Sequence, residues 1–73
     1  MTFKLTQSFN GARLRSARLA KRLTMRDLAE KLGVNSSQIA RWESGKHLPH
    51  RTYVLAMAKL LSVKVRDLDE VQV

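Results

Sequence analysis

Gly33 and Gly45 cut the middle of the chain into short helical lengths, and no other feature constrains the fold as much. Glycine tolerates the left-handed conformation that a helix end commonly needs, so each is read as a stop. Ahead of Gly33, Leu28, Ala29 and Leu32 are spaced as one buried helix face. Thr24 is placed to cap that helix through its hydroxyl, with Asp27 at the third helical position to complement the exposed amides. Val34 follows the glycine as an apolar plug, Asn35 is placed to cap a third helix from Ser36 to Ser44, and Gly45 ends it. Ile39 and Trp42, three apart, face inward together, and Trp42 is assigned to the core. The pattern reads as helix, tight turn, helix.

On either side the helical periodicity continues. Gly11 to Arg22 is a run of good helix formers with Leu14, Ala17 and either Arg18 or Ala20 facing inward. Lys46 to His50 is a loop holding the sole proline, Pro49, and a fourth helix from Arg51 to Leu61 buries Val54, Met57, Ala58 and Leu61. A short fifth helical turn is expected at Val65 to Leu68. Residues 1–9, with alternating Phe3 and Leu5, suit an arm or short strand; 10–69 form the domain; 70–73 are a tail. The expected fold is all-α, a compact five-helix bundle with helices two and three forming a helix-turn-helix.

A chain of 73 residues has a thin core, burying roughly 60% of its unfolded surface. With no cysteine, neither a disulfide nor a thiolate zinc site can staple it, so helix packing, helped by a partner subunit, must hold the fold. The longest apolar run, Tyr53 to Ala58, is far below the roughly 20 residues of a membrane span, and the amino terminus lacks a signal-peptide core. A cytoplasmic protein with no membrane partner is expected.

Fourteen Lys and Arg against six Asp and Glu give a net charge of +8. Residues 1–22 carry six basic side chains, Lys4, Arg13, Arg15, Arg18, Lys21 and Arg22, and no acid, whereas Asp67, Asp69 and Glu70 cluster near the end. Such a balance favours a polyanionic partner, because neutralising phosphates releases counterions. Composition alone does not separate nucleic acid from an anionic membrane or an acidic protein. The helical pattern decides: a rigid helix on a basic body suits a DNA major groove about 12 Å wide. No nucleophile–base pair, carboxylate pair or phosphate-cradling glycine loop supports an enzyme, and no cofactor is expected. His47 and His50 have no cysteine or acidic cluster at ligand spacing, so no metal is expected either.

At about 100° per residue from Ile39, the buried side of the third helix lies near 330° and its free side near 150°. Ser37, Arg41 and Ser44 point outward, Gln38 and Ala40 flank that face, and Ser36 stands at the helix entrance. The expected base contacts are therefore Ser36, Ser37, Gln38 and Arg41. Arg41, able to bond guanine bidentately, and Gln38, able to bond adenine, carry most of the specificity. Expected phosphate contacts are the amides near Met25 and Ser36, with Arg26, Lys46, His47 and Arg51.

Leu23-Thr24, Leu28-Ala29-Glu30-Lys31-Leu32-Gly33-Val34 and Ile39-Ala40-Arg41-Trp42-Glu43-Ser44-Gly45-Lys46 resemble the Cro and phage-repressor family of regulators, also called XRE-like. The likeness runs from about Asn10 to Leu68. It implies a five-helical fold, operator binding through the third helix, base contacts on much the same positions, and a homodimer on inverted half-sites. It also implies that Arg18 and Glu43 form a structural ion pair, a device fixing helix one against the recognition helix. Some positions depart from the family: Arg22 and Ser62 stand where glycine is frequent, Lys64 where a serine-like cap is, and Met25 where glutamine is. A left-handed Arg22 costs on the order of 1 kcal/mol, and at Met25 only the backbone amide can reach a phosphate.

The expected function is a DNA-binding transcriptional regulator, a repressor, with double-stranded DNA as partner. Four alternatives stay open: an antitoxin-type autoregulator with a toxin partner, the DNA-binding module of a longer regulator, a helical protein-interaction module, and a non-specific architectural DNA binder. Any effector stays unassigned. Dimerisation is suggested by the thin core and by the apolar residues Val63, Val65, Leu68, Val71 and Val73 near the carboxyl end, with the dimer interface itself left unassigned.

Overall fold

The computed structural model describes residues 9–69; the rest of the expected arm, with Phe3 and Leu5, and the expected tail lie outside the described residues. Four α-helices follow in order: α1, Gly11–Ala20; α2, Met25–Leu32; α3, Ser36–Ser44; and α4, Arg51–Leu61. The expected fifth helix is a single 3-10 turn, Val65–Leu68, in which the Asp67 carboxylate accepts the Lys64 amide at 3.0 Å before the chain returns to extended conformation at Asp69. The bundle is therefore four α-helices and a 3-10 turn. No strand forms among the described residues beyond one antiparallel bridge, Phe9 to Asp69, which brings the two ends of the domain together.

All four helices end alike. After α1 the amide of Leu23 donates to the Arg18 carbonyl and that of Arg22 to Leu19. The same pair of reversed bonds recurs at Val34 and Gly33, at Lys46 and Gly45, and at Val63 and Ser62. This is the Schellman arrangement, which satisfies the last carbonyls of a helix and needs a left-handed residue after it. Gly33 and Gly45 supply that conformation freely, at φ 75° and 83°. Arg22 and Ser62 adopt it as well, at φ 59° and 58°, against the steric preference of a side chain. α1 accordingly stops at Ala20, two residues before the expected end.

The helix starts differ from one another. Thr24 and Asp27 form a reciprocal capping box, each side chain accepting the other's backbone amide at 2.9 Å. Asn10 caps α1, its Oδ1 accepting from the amides of Ala12 and Arg13 at 2.9 Å and 3.3 Å. Asn35 does not cap α3 with its side chain, contrary to expectation. The α3 helix closes instead through the Asn35 carbonyl, which accepts from Gln38 and Ile39, while the carboxamide stays in solvent.

Leu14, Leu28, Ile39, Trp42, Val54, Met57, Leu61 and Leu68 are essentially inaccessible and form the core. Phe9, the last residue of the expected arm, joins them, and Leu32 is only partly buried. α1 and α2 both pack on α3, and α4 closes against α2 and the 3-10 turn. On α1 it is Arg18, not Ala20, that is buried beside Leu14. Of the carboxyl-terminal apolar residues, Leu68 is fully buried and Val63 and Val65 are partly buried against the core, while Val71 and Val73 lie outside the described residues.

Relief of the two left-handed side chains gives a direct test. Arg22→Gly and Ser62→Gly should each stabilise the domain by about 0.5–1 kcal/mol, the steric gain being partly offset by glycine's freedom in the unfolded chain. Thermal melts should rise by a few degrees for each. Unchanged or lower melting temperatures would contradict the left-handed assignment.

Candidate nucleic-acid interface

The site begins with how α3 is held. Ala29, 2% exposed, is small enough for α2 and α3 to approach closely, and Ile39 and Trp42 anchor the inner side of α3 in the core. At its carboxyl end Gly11 lies so near that a Cβ there would overlap the carbonyl oxygens of Trp42 and Glu43, the latter at 2.5 Å. Backbone meets backbone at that contact, and any side chain would push α1 off α3.

Beside this contact Arg18 forks onto Glu43. Its Nε donates to Oε2 at 2.6 Å and its Nη2 to Oε1 at 3.1 Å, with the side chains 6% and 4% exposed. The remaining nitrogen, Nη1, donates to the Leu23 carbonyl at 2.7 Å. One guanidinium thus ties α1, the end of α3 and the turn before α2. The third tie, to Leu23, had no signal in residue spacing.

With its inner side fixed, α3 presents Ser36, Ser37, Arg41 and Ser44 to solvent. Gln38 is half-buried and turned toward α4, lining a cavity of about 460 Å³ with Trp42 and Tyr53; it sits at the edge of the free face. Ala40 is half-buried on the other flank.

The surrounding cations are exposed. Arg26 stands in the first turn of α2, Arg51 opens α4, and Lys46 and His47 follow α3. The last two are not on a loose loop: the amides of Lys46 and His47 donate to the Arg41 carbonyl at 2.9 Å and 3.2 Å, and the Ser44 hydroxyl donates to it at 3.2 Å. Lys46, His47 and His50 line the same cavity as Gln38. Tyr53 completes it, its ring 5.2 Å from that of Trp42, and the sequence reading had passed it over. Its signal was there, an aromatic two residues into a helix that follows a basic loop.

Met25 is half-buried and packs against the core, so at this position only the backbone amide can meet a ligand. Asp27 is engaged by its cap. The Thr24 backbone amide, then the Thr24 hydroxyl, with smaller help from Lys31 and Arg26, holds its carboxyl below the ordinary range. Because the folded value is depressed, the stability this cap contributes is complete above the ordinary carboxyl range and is lost as pH falls through the lower folded value. Among the described residues no group of three His, Cys, Asp or Glu could hold a metal ion, and no helix is long and apolar enough to cross a membrane.

The chain matches the helix-turn-helix domain family over residues 11–71. It belongs to that family. It is 38% identical over 56 residues to the HTH-type transcriptional activator BcrR of Enterococcus faecalis, a match covering 77% of this chain and 28% of BcrR. Among solved structures it superposes on the P22 c2 repressor protein in complex with a synthetic operator and on a restriction-modification controller protein. For the P22 c2 repressor the TM-score is 0.77 at 27% identity, over 82% of this chain and 91% of that one. For the restriction-modification controller protein C.AhdI of Aeromonas hydrophila it is 0.74 at 33% identity, over 80% and 84%. The repressor likeness read from the motifs is thus present in the fold as well. The chain spans only 28% and 36% of the two longer curated relatives it matches.

The buried fork yields a test. Arg18→Met or Glu43→Leu alone strands a charge and should cost about 3–5 kcal/mol, whereas the double variant should cost clearly less than the sum. Arg18→Met should be the worse single change, since it also leaves the Leu23 carbonyl without its donor. Denaturant titrations of the four proteins showing strict additivity would refute the coupling.

Proposed function

We propose that this chain is a sequence-specific binder of double-stranded DNA and a transcriptional regulator, a repressor, that reads the major groove with α3. One observation carries the reading: α3 is clamped on its inner side by core and fork, while its free side bears Ser36, Ser37 and Arg41 within a rim of exposed cations. Arg41 reads bases, with guanine as the natural bidentate partner, and Ser36 and Ser37 contact base edges at the helix entrance. Gln38, at the edge of the face, reads a base or the adjoining sugar. Lys46, His47, Arg26 and Arg51, with the amides at Met25 and Ser36, hold phosphates. The α3 entrance suits an anion because no side-chain cap occupies its first amides.

The P22 c2 repressor, whose structure contains an operator, supports this reading, as does the naming of BcrR as a transcriptional activator. The BcrR match also favours a second version, in which such a domain is one module of a longer regulator. In either version the chain is a DNA binder and not an enzyme, acting in the cytoplasm. We propose further that it works as a homodimer, since two half-sites a helical turn apart require a two-fold axis. Sedimentation on DNA selected from a random pool should find two copies per duplex; a single copy would refute the dimer.

Readers and holders separate by their effect on specificity. Arg41→Ala should cost roughly 1–3 kcal/mol on the selected DNA and relax preference at one base position, narrowing the ratio to random DNA. Lys46→Ala should weaken both DNAs alike and reduce the salt slope by about one unit. Melting curves check that both variants fold. An unchanged ratio for a folded Arg41→Ala would remove the main support for α3 as reader.

A further inference from the structure

α4 is apolar on more sides than its core contacts use. From Thr52 to Leu61 its one charged residue is Lys59, and a helix apolar nearly all round is normally covered nearly all round. Val54, Met57, Ala58 and Leu61 are buried, yet Leu55 and Leu60 stand 47% and 39% exposed. Leu60 borders a groove of about 490 Å³ between α4 and the end of α2. Its floor is Leu32, Ala56 and Leu60, and Lys31 and Lys59 stand on its edges. Both lysines are exposed, and neither belongs to the face bearing Ser37 and Arg41.

We propose that this groove is a docking site for an acidic amphipathic helix of a partner protein. The positions Thr52, Ala56, Lys59 and Leu60 run along one side of α4 for about 12 Å, the span of two helical turns. An apolar strip of that length, beside a second helix, takes the apolar face of an incoming helix. The two ammonium groups choose its flanks: carboxylates are attracted, whereas DNA finds no complement for its sugars and phosphates in an apolar floor. Tyr53 borders the groove and its ring also lies tilted at 44° against that of Trp42 of α3, so a bound helix touches a residue that packs on the proposed recognition helix. Binding in the groove does not rest on the DNA-reading proposal, and the two are tested apart.

The probe is a stapled helical peptide of about 18 residues, long enough to persist as a helix, with leucines at i, i+3, i+4 and i+7 and glutamates on both flanks. A second peptide carries lysine for every glutamate. The acidic peptide should bind saturably and move the amide resonances of Lys31, Leu32, Ala56, Lys59 and Leu60. The lysine peptide should bind at least tenfold more weakly. Ala56→Gln, a neutral change that fills the floor, should weaken the acidic peptide at least tenfold while leaving random-DNA affinity and the melting temperature unchanged. Lys59→Glu, on the exposed edge, should shift preference toward the lysine peptide. Equal binding of both peptides, resonance shifts centred on Ser37 and Arg41, or self-association that covers the groove residues would each overturn the proposal. Loss of DNA binding alone would not.

Discussion

The Arg18–Glu43 fork is the interaction on which the rest of the arrangement depends. A buried ion pair is weak evidence of net stability, because desolvating both charges costs about what their attraction returns. Its value lies in what it forbids. With Nε and Nη2 committed to Glu43 and Nη1 to Leu23, α1 cannot rotate or slide on α3 without stranding a charge in the core. Gly11 makes the same demand in steric form, because its contact with the α3 carbonyls tolerates only one spacing of the two helices. A thin core of leucines would hold this pair together but would leave its register soft. The fork and the glycine fix the register.

Helix ends matter as much as helix faces in a chain this short. Each of the four helices terminates by the same reversed pair of hydrogen bonds, and three of the four are followed at once by an apolar residue, Leu23, Val34 or Val63, that folds back onto the core. The fourth is followed by Lys46, which faces solvent. A single backbone device therefore makes three structural turns and one that delivers a cation to the edge of the proposed interface. The left-handed strain at Arg22 and Ser62 lies in the structural turns, away from α3, so it lowers stability without disturbing the reading face.

Most of the fold was legible because its signals are local. Gly33, Gly45, Thr24 with Asp27, and the periodicity of α2 to α4 act within a few residues, and the observed boundaries of α2, α3 and α4 follow them. The errors share a different cause. Asn10 and Asn35 both precede helices, yet only the first turns its oxygen to the amides, a choice set by rotamer and surroundings. The place of Val63 and Val65 against the core depends on how the 3-10 turn packs on α1 and α4, which residue spacing does not give. The helical wheel places Gln38 on the flank of the free face, where it lies; that Tyr53 of α4 stands beside it there is not legible in the spacing. The Leu23 bond of Arg18 joins residues in one turn, but its geometry exists only once Arg22 has gone left-handed.

A further consequence follows from the Arg41 carbonyl. It accepts the amides of Lys46 and His47 together with the Ser44 hydroxyl, so the backbone of the proposed reader is also the anchor of the proposed phosphate holders. Selecting one base over another requires that a side chain miss the wrong base by a defined distance, which fails if backbone contacts and base contacts can shift independently. Here they share one peptide group. In the proposed complex, phosphates held by Lys46 and His47 would set the height of Arg41 over the groove floor, and the Arg18–Glu43 fork would set its angle. Specificity in such a domain is then a property of the rigid frame as well as of the guanidinium that meets the base.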